Sequence, residues 1–297
     1  MQFCHYIKHC RKEFNLTQEE LVTHLYHYDD IFEGLDAVTL SRWERCLTTP
    51  NIERQQKFIQ AMRAFCDDSF PCWDILDFAS IEEQMYQKGI QKIIGKHKRF
   101  ILNFPSELID KDNLNFTLVD DTPLYQPHIE LTRNFITKFT NSYIDINPTQ
   151  FYKLATYESS FFLVATYQQQ FFGVIFSIRL QKETFDKLLS KQITENDISL
   201  ENLASEDEVG YEYPFTFFAY TEQCATILAL RYYIHLLQNQ NHIKTLGSLP
   251  KSKEGKSLVE KLGLKEQTPD DMYPKVFEAS ISDVLINPYI LKMLFSR

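Results

Sequence analysis

The 297-residue sequence has few glycines and prolines, eight and eleven respectively, and no long apolar run. Such low numbers exclude a collagen-like or low-complexity chain. The longest clean apolar run, residues 161–165, is far shorter than the roughly 20 residues that a membrane-spanning helix needs. The N-terminus also lacks the apolar segment of a signal peptide. We therefore expect a cytoplasmic protein with no membrane partner.

Cysteine pairs of the CxxC type are absent, although the sequence contains six cysteines. The cysteine spacing fits no zinc-binding template. Several of the cysteines lie among apolar residues, which indicates small core side chains in a reducing compartment. We therefore expect free core thiols and no metal site, and a disulfide or a metal role is the minor alternative.

Positive charge is scarce, with 31 basic residues against 40 acidic ones and a net charge of −9. This balance argues against a protein that coats nucleic acid through bulk positive charge, but it leaves room for a small DNA-reading surface. The eight histidines are scattered, and the sequence contains no phosphate-binding loop and no catalytic-triad spacing. We therefore predict no catalytic residue and no cofactor.

The first 65 residues have the pattern of several short helices. Helices are predicted over residues 3–14, after Thr17, over residues 37–45 and over residues 52–65. Thr17 and Glu20 have the spacing of a capping box. Asp36 is suited to cap the third helix.

This helical segment resembles the phage repressor and Cro-like helix-turn-helix family, the XRE family. The resemblance is carried by LTQEEL at residues 16–21 and GLDAVTLSRWER at residues 34–45, together with Ile7, Arg11 and Pro50. It implies an all-α helix-turn-helix domain over residues 1–68. A helical linker is predicted over residues 69–104.

The resemblance also implies which side chains meet double-stranded DNA. The DNA-binding residues would be Gln18, Ala37, Val38, Thr39, Arg42, Thr48 and Thr49. The recognition helix of this family lies in the major groove with its N-terminal residues at base edges. Arg42 would bind a guanine, and Gln18 would contact phosphate. Leu40 and Trp43 would be core residues.

A buried ion pair between Arg11 and Glu44 is also implied by the resemblance. Two features depart from the family. About eight extra residues near 26–33 either extend the second helix or form a loop near DNA. Residues 1–68 carry eight basic and eleven acidic residues, which predicts weak non-specific binding.

From about residue 105 the pattern becomes mixed α/β. Strands are predicted over residues 116–119, 161–167, 171–180, 211–220, 243–249 and 276–284, and helices over residues 130–139, 148–157, 182–191, 222–237 and 253–262. This order is similar to the GNAT acetyltransferase fold, and EGKSLVEKLGL at residues 254–264 resembles the last helix of that family. The resemblance implies a GNAT-like α/β, or α+β, domain over residues 105–297.

The acetyl-CoA motif of the GNAT family is missing at the expected place. Thr226 and Leu228 stand where that family has small residues that let the pyrophosphate approach the helix N-terminus. This departure argues against catalysis. The residues predicted to bind a small-molecule or acyl ligand are Glu212, Tyr220 and Gln223, which we expect to lie in one cleft.

The two segments together predict a bacterial transcriptional regulator. It would bind operator DNA as a homodimer, because a two-fold dimer matches two half-sites. The C-terminal domain would sense a ligand or mediate dimerisation. One alternative is an active acyl-CoA-dependent acyltransferase with an attached DNA-binding module. Another is an antitoxin-like regulator that binds a partner protein.

Overall fold

The computed structural model describes residues 1–88, 110, 113–139, 145–251, 253–267 and 275–295. It divides the chain into two compact units. The first unit comprises Met1–Gln84 and Leu285–Arg297, and the second comprises Met85–Val284. The described residues form helices and one seven-stranded sheet. Within the described residues, no helix is both long enough and apolar enough to cross a bilayer.

Four helices form the first part of the N-terminal unit. They are α1 (Phe3–Glu13), α2 (Gln18–Tyr28), α3 (Ala37–Glu44) and α4 (Ile52–Met62), and α5 (Phe78–Lys88) follows them. The predicted capping box is confirmed, because Thr17 and Glu20 bond to each other's backbone amides. Asp36 caps α3 by accepting a hydrogen bond from the Thr39 amide at 2.6 Å. Polar side chains at these positions fix where both helices begin.

The extra residues between α2 and α3 extend α2 to Tyr28 and then form a 3-10 turn, Asp30–Phe32. The turn is tied to α4 by the ion pair between Asp29 and Lys57, whose charged atoms lie 2.8 Å apart. Phe32 is fully buried. The segment is therefore packed against the helical unit rather than projecting from it.

The end of the chain completes the core of the N-terminal unit. Two short helices lie near this end, α11 (Ile281–Leu285), of which all but Leu285 belongs to the second unit, and α12 (Pro288–Leu294), numbered after the other helices. The ring of Phe295 lies 4.8 Å from that of Phe3 and 5.0 Å from that of Tyr6. The Gln56 side chain donates a hydrogen bond to the Ile286 carbonyl at 2.9 Å. Residues 285–295, which the sequence places with the C-terminal domain, thus pack with the N-terminal helices.

The second unit is built on one sheet. Its strands are β1 (Leu114–Leu118), β2 (Phe161–Tyr167), β3 (Gln170–Leu180), β4 (Gly210–Ala219), β5 (Ile243–Ser248), β6 (Lys265–Glu266) and β7 (Phe277–Ser280). The order across the sheet is β1-β2-β3-β4-β5-β7-β6, and only β4 and β5 run parallel. The helices of this unit are α6 (Gln126–Phe139), α7 (Pro148–Ala155), α8 (Lys182–Leu189), α9 (Glu222–Gln238) and α10 (Lys253–Lys261).

The two faces of the sheet differ in what covers them. Alternate residues of β2 and β3, such as Phe162 and Phe176, join an apolar core with residues of α7 and α8. The long helix α9 packs on β2, β3 and β4. Gly173 permits this close packing, since a Cβ atom there would lie 2.7 Å from the Sγ atom of Cys224. The absence of a side chain at Gly173 therefore lets α9 lie close to β3.

Strands β4 and β5 pair over a short distance only. Their register covers Gly210, Tyr211 and Glu212 of β4, whereas β4 continues to pair with β3 as far as Ala219. The β3–β4 ladder also contains an irregularity that opposes Ser177 to Pro214. A proline has no amide hydrogen to donate to a ladder. The pairing of β4 with its parallel neighbour β5 ends at Glu212.

Most of the predicted elements are confirmed, with one correction at the end of the chain. The predicted strand over residues 276–284 is wrong in its second half, because only Phe277–Ser280 is a strand and α11 follows at once. The Ser280 side chain accepts a hydrogen bond from the Asp283 amide, which starts that helix. Residues 89–104 of the predicted linker lie outside the described residues.

Candidate functional site

Helix α3 presents two different faces. Leu40, Trp43 and Glu44 are buried against the other helices, as predicted for the first two as core residues. Val38 is 63% exposed, and Arg42 is also exposed. Ala37 and Thr39 are half-buried. An apolar and a cationic side chain thus share the exposed part of a short helix.

A buried ionic network holds α3 against α1 and α2. Arg11 binds Glu44 through two contacts, Nε to Oε1 at 2.5 Å and Nη2 to Oε2 at 3.1 Å. The Arg11 side chain is 17% exposed and that of Glu44 is 5% exposed. The ion pair implied by the family resemblance is therefore confirmed. Because a guanidinium and a carboxylate match in two parallel hydrogen bonds, the contact fixes the angle of α3.

Gln18 belongs to the same network. Its side-chain amide donates a hydrogen bond to Oε2 of Glu44 at 2.7 Å. The contact directs the Gln18 amide toward α3, and its predicted role in phosphate binding remains a prediction. Gln18 stands at the first position of α2, where the backbone amides of a helix favour an anion.

The segment after α3 is anchored to the end of that helix. The amides of Cys46 and Leu47 donate hydrogen bonds to the carbonyls of Trp43 and Arg42, at 2.9 and 3.0 Å. Thr48 and Thr49 follow on the surface and are exposed. Both threonines thus lie on the surface, six and seven residues after Arg42.

A disulfide joins the ends of two helices in the N-terminal unit. Cys4, in the first turn of α1, is bonded to Cys46, with a Cα–Cα distance of 5.3 Å. The expectation of free core thiols is therefore wrong for these two residues. Cys4 lies on the inward face of α1, and Cys46 follows the inward-facing Trp43. That shared orientation is the signal in the sequence that could have indicated the pair.

Glu212 is part of a buried polar cluster beneath α9. Its side chain is 1% exposed and accepts hydrogen bonds from Ser177 and from the hydroxyl of Tyr232. The Nε2 atom of His235 lies 3.6 Å from Oε1 of Glu212. Burial raises the pKa of Tyr232, so that hydroxyl stays protonated and donates.

Arg179 adds a positive charge to this buried region, opposite Glu212 in the β3–β4 ladder. Its Nη2 atom donates to the Glu206 carbonyl at 3.2 Å. Burial lowers the pKa of Arg179, and the charge of Glu212 opposes that shift. The opposite charges of Arg179 and Glu212 thus share a dry environment, in which each moderates the cost of burying the other.

Tyr220 and Gln223 lie at the other end of β4. Tyr220 follows Glu212 by eight residues, or roughly 26 Å of extended chain at about 3.3 Å per residue, and Gln223 lies in the first turn of α9. That the three residues line one cleft stays a prediction. The ring of Tyr220 packs against those of Phe172 and Phe218, at 5.4 and 5.0 Å.

The N-terminus of α9 is closed by its own side chains. Thr221 caps the helix by accepting from the Cys224 amide at 3.3 Å. Glu222 occupies the first turn, and burial raises the pKa of its carboxyl group. Thr226 and Leu228 are both buried. The Thr221 cap thus satisfies one of the amides at this helix end, and Glu222 adds an acidic group to the first turn.

No protein-family model matches the chain, and no curated protein matches it. Among the solved structures, one that is similar is an acetyltransferase of the GNAT family from Staphylococcus aureus Mu50. The two chains are 13% identical, and the match covers 56% of this chain and 99% of the other, with a TM-score of 0.36.

Proposed function

We propose that this protein is a sequence-specific DNA-binding regulator that reads double-stranded DNA through α3. The observation that carries the proposal is the division of α3 into a locked face and an exposed one. Glu44 is held by Arg11 and Gln18, whereas Val38 and Arg42 face solvent. A short helix fixed in this way resembles a helix-turn-helix recognition helix, as the sequence predicts.

The chemistry of the exposed face suits the major groove. The guanidinium of Arg42 can donate two hydrogen bonds to the O6 and N7 atoms of guanine, and Val38 can contact a thymine methyl group. The exposed hydroxyls of Thr48 and Thr49 can contact phosphate, which positions the protein without reading sequence. The low net charge makes these few contacts decisive, because non-specific attraction is weak. The same reasoning favours a homodimer that binds two half-sites.

The test is a selection from random-sequence duplexes with the full chain, followed by fluorescence anisotropy on the enriched duplex. The proposal expects one enriched motif, preferred at least roughly 1,000-fold over unrelated duplex. A selection that enriches no motif after repeated rounds contradicts it. Glu33→Gln serves as a matched control, because Glu33 is exposed near α3 and has no place in the proposed surface.

A second candidate, an acyl-CoA-dependent transferase, is supported by the short pairing of β4 with β5. Beyond Glu212 those strands have no mutual ladder, so the edge of β4 that faces β5 does not pair with that strand there. The N-terminus of α9 argues against it, because Thr221 already caps the Cys224 amide and Glu222 adds an acidic group to the first turn. Calorimetric titration with acetyl-CoA separates the two candidates. Binding of acetyl-CoA, together with release of its free thiol when an amine is added, would favour the transferase.

A further inference from the structure

The N-terminal unit contains five of the six cysteines of the chain. Two of them, Cys4 and Cys46, are joined across 42 residues of sequence. Cys4 is 3% exposed, and Cys46 is half-buried. The bond thus connects an inaccessible sulfur on α1 with a more accessible sulfur directly behind α3.

A histidine lies beside the accessible sulfur. The Nε2 atom of His5 is 3.6 Å from the Sγ atom of Cys46, and His5 itself is exposed. Sγ of Cys4, Sγ of Cys46 and the imidazole all lie within 4.8 Å of one another. A nucleophilic thiol, an adjacent base and a second thiol within bonding reach form the set of groups that a reactive cysteine pair needs.

We propose that Cys46, His5 and Cys4 form a hydroperoxide-sensitive thiol pair whose reversible disulfide fixes the segment after α3 and thereby sets DNA affinity. The effect on DNA affinity rests on the proposed DNA-binding function. The thiol chemistry and the fixing of the segment do not.

In the reduced protein, His5 takes the proton of the Cys46 thiol. The thiolate attacks the outer oxygen of a hydroperoxide ROOH, the O–O bond breaks, and RO⁻ takes up a proton and leaves as ROH. Cys46 is then a sulfenic acid. The Cys4 sulfur attacks the Cys46 sulfur, and the hydroxyl group leaves as water with the Cys4 proton. In sum, two thiols and ROOH give one disulfide, ROH and H₂O. A dithiol reductant reverses the bond and becomes a disulfide itself.

The disulfide acts on the part of the molecule that carries the candidate DNA contacts. Cys46 has a φ of 59°, in the left-handed region that glycine adopts more readily. Its amide and that of Leu47 hold the end of α3 through Trp43 and Arg42. The bond to Cys4 anchors this turn to α1. When it is cut, the strained turn loses that anchor, and the exposed Thr48 and Thr49 lose a fixed position.

The thiol chemistry is tested on the full chain after reduction and removal of the reductant. Hydrogen peroxide is added, and peptides are mapped by mass spectrometry. The parent should form the 4–46 disulfide, and Cys4→Ser with dimedone present should give an adduct on Cys46. His5→Gln should slow oxidation by about tenfold, below the full effect of a positioned base. His9→Gln, one turn along the same helix, should leave the rate unchanged.

Three results would overturn this part of the proposal. One is a parent whose Cys4 and Cys46 remain thiols after peroxide treatment. Another is a Cys4→Ser variant with no adduct on Cys46. The third is one zinc ion per reduced chain, released by Cys4→Ser, which would make the group a metal site.

The fixing of the segment is tested without DNA. Hydrogen exchange of the Cys46 and Leu47 amides should become faster in the reduced parent than in the oxidised one, with the amides of α4 unchanged. Equal exchange in both states contradicts the proposal, because the bond would then hold nothing. Cys46→Ser should exchange like the reduced parent under oxidising conditions.

The effect on affinity is measured with the selected duplex. Reduced parent should bind roughly fivefold or more weakly than oxidised parent, in the range of ordinary coupling between sites. Cys46→Ser should bind weakly in both conditions. Equal affinity of the oxidised and reduced parent overturns the coupling, whereas a parent that binds no duplex in either state contradicts the proposed function and leaves the exchange result to decide the rest.

Discussion

The Nε atom of Arg11 lies 2.5 Å from the Oε1 atom of Glu44, and the two side chains join α1 to α3. Arg11 also donates from Nη1 to the Leu16 carbonyl at 2.8 Å. The turn between α1 and α2 therefore depends on the same guanidinium as the position of α3. One ion pair sets the geometry of three helices.

Replacing Glu44 by alanine should destabilise the N-terminal unit by about 3–5 kcal/mol, because it leaves the mostly buried Arg11 charge uncompensated. Both tryptophans of the chain, Trp43 and Trp73, belong to that unit, so tryptophan fluorescence in urea reports its unfolding. Glu33→Ala, at an exposed position, should change the midpoint little. An unchanged midpoint for Glu44→Ala would mean that the ion pair does not hold α3.

The C-terminal helix should stabilise the N-terminal unit. Phe295→Ala removes a ring that packs on Phe3 and Tyr6, and should cost about 3–5 kcal/mol. Tyr289→Ala, within the helix that Phe295 directly follows but 38% exposed, should cost much less. The same fluorescence measurement compares them. Equal effects would mean that residues 285–295 are not part of that core.

Two other cysteines of the N-terminal unit, Cys72 and Cys66, should differ in their rate of alkylation. A hydrogen bond from the Cys10 thiol lowers the pKa of Cys72, whereas burial raises the pKa of Cys66. At a given pH below both values, Cys72 therefore has the larger thiolate fraction, and the thiolate is the nucleophile. Iodoacetamide should alkylate Cys72 first, with a rate that rises at lower pH than the rate for Cys66.

Removing the donor tests the cause of that difference. Cys10→Ala should raise the pKa of Cys72 and slow its alkylation, and Cys10→Ser, which keeps a donor, should slow it less. Alkylation rates come from mass spectrometry of timed samples. If Cys66 reacts first in the parent, the hydrogen bond does not control the Cys72 thiolate.

The local parts of the fold could be predicted from the sequence because their causes are local. Thr17 and Glu20 cap α2 from three residues apart, and Asp36 caps α3 in the same way. Such signals need no knowledge of the rest of the chain. The hairpin of β2 and β3 is equally local, with Gln168 and Gln169 in left-handed conformations at its turn.

Long-range relationships could not be predicted in this way. The hydrogen bond from Gln56 to Ile286 spans 230 residues, and nothing in the local sequence around Ile286 indicates its partner. The burial of Glu212 is another relationship of this kind, because the hydroxyl that donates to its carboxylate belongs to Tyr232, twenty residues away on α9.

The exposed guanidinium of Arg42 should account for base preference in DNA binding. Arg42→Ala should weaken binding to the selected duplex by about 1–3 kcal/mol and relax preference at one base pair. Gln18→Ala, if its amide contacts phosphate, should weaken binding similarly for all duplexes. The two variants therefore distinguish reading from positioning.

The most direct measurement of the central claim is the affinity of parent and Arg42→Ala for the selected duplex and for its single-base variants, at one fixed salt concentration. The parent should bind one duplex, in which a single guanine is replaced, roughly 10-fold to 100-fold more weakly than the selected duplex. The Arg42→Ala protein should bind these two duplexes equally. If Arg42→Ala binds the selected duplex as tightly as the parent does, with the same base preference, α3 is not the DNA-reading helix.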